Sequence, residues 1–435
     1  MTDSVEKFNK GLVDFLAASP TPFHAVETMK TALLKKNFNE LKEADIWQLN
    51  KAGKYFISRN DSSIIAFKLG ENDLSESGFR MTGAHTDSPC LKVKPDPELV
   101  KHGYGQLGVE VYGGALLNPW FDRDLSLAGR VNFVDANDQL RSRLIDFKNP
   151  IAVIPSLAIH LDREANTHKA VNQQTDLPPV LLLCDEPVKF NLKKLLSEEL
   201  EKEDKDVKQV LDYELFFYDV QPPALIGLKH EFLASSRLDN LLSCYTGLMA
   251  LLDADDGQAA LLVCNDHEEV GSMSASGAKG TFLKSVLERI LVDNESRNRM
   301  LAMSVLVSAD NAHGVHPNFA DKHDSNHGPL LNAGPVIKVN ANQSYATNSG
   351  TAALFRILAK QVDVPLQSFV VRTDMGCGST IGPITAAEIG VKSIDVGVAT
   401  FAMHSIRELA GAKDAYYLYR VLKCFNNEPV FALSN

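Results

Sequence analysis

The chain has 435 residues, 45% hydrophobic and 23% charged, the balance of a globular protein long enough for two domains. Its formal charge of −11 argues against nucleic acid as a main partner, because phosphate binding needs clustered lysine and arginine. No apolar run approaches the roughly 20 residues of a membrane-spanning helix.

The opening "MTDSVEKFNKGLVDFL" lacks a basic stretch followed by an apolar one, so no signal peptide and a cytoplasmic location are expected. The six cysteines are scattered without a CxxC pair, which favours free thiols over disulfides or a cysteine zinc site. Helical periodicity marks the first forty residues, in "VEKFNKGLVDFLAAS" and "FHAVETMKTALLKKN". Short apolar segments then read as strands buried on both faces: "SSIIAFKL", "FRMTGAH", "AALLVCN", "MSVLVSAD", "SFVVRTD" and "SIDVGVA". Between the later ones lie helical patterns, "RLDNLLSCYTGLMALLDA", "TFLKSVLERILV", "TAALFRILAKQV" and "SIRELAGAKDAYYLYRVLKCF". This alternation predicts a layered α/β domain.

Residues 95–228 read differently, as hairpins with Gly and Asn-Pro turns plus the charged helical run "KKLLSEELEKEDKDVKQVL". The proline clusters "KPDPEL" and "QPPAL" bracket the region as linkers, so it is expected to be an insertion. Residues 1–94 and 229–435 would together form one discontinuous domain.

Several predicted strands end in a metal-competent residue: His85 and Asp87, then Glu268 and Glu269, then Asp310, His313 and His316, and later His404, while Asp239 opens a helix. Ligand sites in open α/β sheets collect beyond the carboxyl ends of strands, so these residues can converge. Singly, each has an ordinary reading: a helix cap for Asp239, a loop turn for Asp87, a satisfied histidine for His404 and solvated charges for the paired glutamates. Jointly, histidine with several carboxylates and no thiolate suits zinc, cobalt or manganese, and two ions can share a bridging carboxylate. Adjacent glutamates could then divide the work, one on metal and one taking a proton from water. Asp87 could hold the second ring nitrogen of His85.

The ordered strings "GAHTDSP", "SSRLDNL", "NDHEEVGS", "SADNAHGVHPN", "GPVIKVN", "GCGSTIGP" and "FAMHS" resemble the M18 family of metalloaminopeptidases, the aspartyl aminopeptidases and their bacterial relatives. The resemblance implies a layered α/β/α zinc-exopeptidase-like catalytic domain with an inserted, mostly β dimerisation domain. It implies two divalent ions, zinc with cobalt or manganese as alternatives, held by His85, Asp239 as the bridge, Glu269, Asp310 and His404. Glu269 is expected on the ion opposite His85, and Glu268 as general base.

His316 would stabilise the oxyanion, and Lys338 would meet the carboxylate of an acidic substrate. His160, in the insertion, would serve a neighbouring subunit's site, while His313 is left as structural. The loop Asp374–Pro383 could offer backbone N–H groups to a substrate carboxylate. The implied assembly is a dodecamer built from dimers. The implied function is removal of N-terminal residues, Asp or Glu by preference, from peptides. The alternatives are an enzyme of the same family preferring neutral residues such as Leu, and a catalytically silent assembly or cargo protein on the same scaffold.

Overall fold

A computed structural model describes residues 2–168, 170–184, 190–202 and 206–429. They form two compact units, one of the described residues within 2–87, 223–403 and 408–429, the other of those within 88–222 and 404–407.

The first unit is built on a nine-stranded sheet ordered Asn39–Glu40, Lys54–Arg59, Ser63–Lys68, Ala260–Asn265, Arg80–His85, Val305–Ala309, Lys392–Gly397, Val336–Lys338 and Gln367–Phe369. Its central four strands, from Ala260–Asn265 to Lys392–Gly397, are mutually parallel. "ALLVCN" and "RMTGAH" are buried at every position because helices cover both faces of the sheet. On one face, Thr2–Ala17, Pro22–Lys35, Leu238–Leu252, Ser349–Gln361 and Asp414–Asn427 supply a core that includes Leu12, Met29, Leu241, Leu354 and Leu418. On the other, Phe282–Ile290 and Asn294–Met303 contribute Phe282, Val286 and Met300. The architecture is therefore an α/β/α sandwich. A five-stranded sheet accompanies it, ordered Ala224–Ile226, Phe232–Ser235, Glu408–Gly411, Ala399–Phe401 and Ala312–His313.

The second unit is a six-stranded antiparallel sheet ordered Leu140–Asp146, Leu125–Asp135, Val207–Asp219, Cys90–Lys101, Tyr104–Tyr112 and Val180–Leu183. The amphipathic helix Leu192–Leu200 buries Leu192, Leu196 and Leu200 in its core.

Several local expectations are corrected. "KPDPEL" is no linker: it lies inside the strand Cys90–Lys101, where the register jumps between Val93 and Glu98, so the prolines occupy a bulge. The unit boundary accordingly falls at Ser88, and His404–Arg407 belong with the second unit. The charged run is helical only to Leu200, and a strand starts at Val207. "SIRELAG" is not the start of the last helix, because Glu408–Gly411 pairs with Phe232–Ser235 and Ala399–Phe401. "SFVVRTD" supplies only Ser368 and Phe369 to the edge strand Gln367–Phe369. The helices Asn294–Met303 and Ile381–Ile389 were not anticipated from periodicity. No helix among the described residues is long and apolar enough to cross a membrane.

Asp414 opens the last helix from a buried position, accepting the amides of Asn332 at 2.5 Å and Gly334 at 2.9 Å. Burial pushes its carboxyl up to about 6 from an ordinary value of 3.8. A raised acid favours the folded state below its unfolded value, so this contribution is complete below about pH 4 and fades as pH rises through 6. Asp414→Ala should cost about 1–3 kcal/mol for each amide left without its acceptor. Urea denaturation at pH 7 measures the loss as a lower midpoint at unchanged slope.

Candidate metal centre and substrate cavity

His85 is the last residue of its strand and 2% exposed. Its Nδ1 lies 3.0 Å from the Asp87 main-chain carbonyl, an acceptor that places the ring proton on Nδ1 and turns the lone pair of Nε2 inward. Around Nε2 stand Asp239 Oδ1 at 3.3 Å, Asp310 Oδ1 at 3.7 Å and Glu268 Oε2 at 3.9 Å. His85, Asp239 and Glu269 each offer one ligand atom, all within 4.8 Å of one another, a spacing that suits one ion or the shared edge of two.

Each of these residues is placed by the chain around it. Asp239 and Asn240 break the first turn of the helix Leu238–Leu252, so Asp239 is no helix cap. Its amide donates to the buried Glu408 carboxylate at 2.9 Å, and Asn240 Nδ2 donates to the Ala309 carbonyl at 2.9 Å. Lower in the same helix, Cys244 Sγ lies 3.0 Å from the His85 carbonyl. Asp310 follows the strand Val305–Ala309 directly. A Cβ on Gly397 would stand 1.6 Å from the Asp310 carbonyl, so only glycine lets the neighbouring strand run this close.

Glu268 and Glu269 start a 3₁₀ turn just past the strand Ala260–Asn265. Asp87 has more than one partner here. Its carboxylate accepts the amides of Glu268 at 3.1 Å and Glu269 at 3.0 Å, fixing that turn, and its Oδ1 also lies 3.4 Å from His85 Nδ1, next to the closer main-chain carbonyl at 3.0 Å.

The electrostatics are those of a site built to receive positive charge. Burial alone would drive protons off His85, yet Glu268, Asp239, Asp310 and Asp87 overcome it and hold the imidazole well above its usual value of 6.5. Burial pushes Glu268 up to about 7, opposed by His85 and reinforced by Asp310, Asp239 and Asp87. Glu269 is raised by burial and then by Asp239, with His85 again opposing. Buried carboxylates crowded around one imidazole fit a divalent cation, whose charge relieves their repulsion. The mixed nitrogen and oxygen set, without thiolate, suits zinc.

His316 is half-buried against Phe319 and Phe401, at ring separations of 5.0 and 5.5 Å. Its Nδ1 accepts the Asn318 amide at 3.2 Å, so in the neutral ring Nε2 carries the proton and can donate. Lys338 does not reach solvent: it is buried against Asp310. His404 and His160 belong to the second unit; the His404 Nδ1 lies 3.2 Å from the Gly114 carbonyl, and His160 is exposed.

A cavity of about 310 Å³ opens in the first unit, lined by His313, Lys322, His323, Tyr345, Phe369 and the loop Met375–Gly378 among others. His313, expected to be only structural, is thus a cavity residue, held below its usual pKa by burial and the charge of Lys338. Sequence reasoning also missed Lys322, His323, Tyr345 and Glu408. "DKHDSNH" carries its histidines and lysine in a loop with no periodicity, and Glu408 sits in a stretch that reads as helix.

Comparison with known proteins agrees with this chemistry. A family model described as "Aminopeptidase I zinc metalloprotease (M18)" matches residues 15–426. The chain is 59% identical over 425 residues to a probable M18 family aminopeptidase 2 of Ectopseudomonas mendocina, covering 98% of this chain and 99% of that one. A relative of the same description from Azotobacter vinelandii is 58% identical over 425 residues, with the same coverage. Among solved structures, the mApe1 dodecamer of S. cerevisiae superposes with a TM-score of 0.83 at 30% identity, over 97% of this chain and 96% of that one. A family model spanning nearly the whole chain, together with a buried histidine–carboxylate centre at the strand ends, leads to one assignment: the chain belongs to the M18 family of zinc metalloaminopeptidases.

Proposed function

We propose that the enzyme is a dinuclear metalloaminopeptidase that removes N-terminal Asp or Glu from peptides, with Glu268 as general base. The observation that carries this reading is the convergence of His85, Asp239, Glu269 and Asp310 on one buried point with Glu268 beside them. These four are the ligands this unit would supply to the ions, with Asp239 as the bridge, and the resemblance adds His404 to the set. A bound divalent ion polarises the scissile carbonyl and acidifies the attacking water.

The remaining steps belong to the chain. Glu268, whose Oε2 lies 3.9 Å from His85 Nε2 beside the ion-holding set, takes the proton of the attacking water and returns it to the leaving amine. Asp87 keeps the turn bearing Glu268 and Glu269 in register, so the two side chains take different partners. The Nε2–H of His316 donates to the oxyanion as charge develops there.

Acidic specificity is supported by the cavity. Lys322 lines it, and the Lys338 ammonium lies 5.1 Å from the ring of Tyr345, another lining residue. Met375, Gly376, Cys377 and Gly378 bring the glycine-rich loop to the same wall.

As in the dodecameric mApe1 relative, the subunits would assemble, in the cytosol, into dodecamers built from dimers by the antiparallel unit. Exposed His160 would then complete a neighbouring subunit's site. Hydrolysis of Glu-, Asp- and Leu-p-nitroanilide tests the reading. The acidic substrates should lead, Lys322→Ala should narrow their advantage over Leu, and His160→Ala should lower turnover at unchanged metal content. A wild-type preference for Leu would establish the neutral-residue alternative instead.

A further inference from the structure

We propose that Lys338 is a positioning residue that aims the Asp310 carboxylate at a bound cation. The inference rests on the dinuclear reading above, and goes beyond it by giving Lys338 a task on the metal side of the site.

Lys338 ends the strand Val336–Lys338 and is 2% exposed. Its Nζ donates to Asp310 Oδ2 at 3.3 Å and to the Asn311 carbonyl at 3.0 Å, and it lies 5.1 Å from the centroid of Tyr345. An ammonium has three N–H groups. Two are taken by oxygens, and the third has an aromatic face within cation–π range.

The consequence falls on Asp310. Its Oδ1 lies 3.7 Å from His85 Nε2, and its Oδ2 is held by Lys338. The two oxygens of one carboxylate therefore have separate partners, one on the metal side and one on the lysine side. The torsion that exchanges them is intrinsically broad and two-fold, so an aspartate without a second partner would sample both arrangements. The Asp310 backbone is already confined, with its amide on the Val396 carbonyl at 2.9 Å and its carbonyl against Gly397. The side-chain torsion is the freedom that remains, and the lysine removes it. Partners of metal-ligating carboxylates act in this way, ordering the ligand before the metal arrives.

The test is zinc binding to metal-stripped full-length protein, measured by competition with a chromogenic chelator, and the absorption of the cobalt-substituted protein. Lys338→Met should bind one of the two zinc equivalents about 10–100-fold more weakly than wild type. Its cobalt band should shift as the coordination by Asp310 changes. Lys338→Arg keeps the charge and should recover most of the affinity. If Lys338→Met fails to fold, the cobalt band of Lys338→Arg decides, because a wider guanidinium fork at Oδ2 must move it. Zinc affinities and cobalt spectra identical to wild type in the folded variants would overturn the proposal, whatever substrates those variants had lost. Failure of wild-type protein to bind two zinc ions would instead overturn the dinuclear reading beneath it.

Discussion

Glu268→Gln is expected to keep its metal and lose about 10²–10⁴-fold in kcat, the usual contribution of a positioned general base. The substitution is nearly isosteric and removes only the ability to accept a proton. The main-chain amide of residue 268 would still donate to Asp87, so the turn carrying Glu269 should stand. Metal analysis and turnover of one preparation make the comparison. Glu269→Gln is the informative partner: its ligand atom belongs to the set within 4.8 Å, so it should lose metal as well as rate. The two adjacent glutamates thus predict opposite metal contents. Retained activity in Glu268→Gln would remove it as the base, and metal loss there would make it a ligand.

Removing the metal should have an effect as large on activity and a second one on stability. A chelator that strips the protein should abolish turnover, and zinc should restore it, with cobalt or manganese as alternatives. In the stripped protein, Glu268, Glu269, Asp239 and Asp310 surround one imidazole, and protons are the cations at hand. Rebinding zinc at neutral pH should therefore release protons, measurable in a weakly buffered titration. Zinc at 1,000 times its dissociation constant should also stabilise the fold by about 4 kcal/mol, seen as a higher melting temperature. His85→Ala should mimic the stripped state, since it removes the nitrogen on which Asp239 and Asp310 converge. Full turnover by protein holding far less than one ion per chain would refute the metal mechanism.

The ends of the central strands were the most legible part of the molecule. Continuous apolar runs mark strands covered on both faces, and "RMTGAH", "ALLVCN" and "VLVSA" are such strands, with residues of the proposed site at or just beyond their ends. The edges were less legible. "SFVVRTD" has strand composition along its length but pairs only at Ser368 and Phe369, because an edge strand has one neighbour and its extent depends on that neighbour. "SIRELAG" has a helical pattern yet is drawn into a sheet by two flanking strands, a tertiary pairing that local periodicity cannot report.

The site divides along the same line. Residue type and strand period are local properties, so the donors and their places after buried strands can be read without the fold. That was enough for a histidine–carboxylate metal centre, and the resemblance supplied the roles. Where each side chain points came from the packing of distant segments. It set the carboxylate of Asp87 between the amides of residues 268 and 269 and the imidazole of His85. It brought Glu408, which lies 169 positions further along the chain, to the amide of Asp239. It also buried Lys338 against Asp310, although a strand lysine read from sequence alone could face solvent, substrate or a ligand. The physical reason is common to all three: a polar group's partner is set by which group shares its buried space, and that is a property of packing between distant segments.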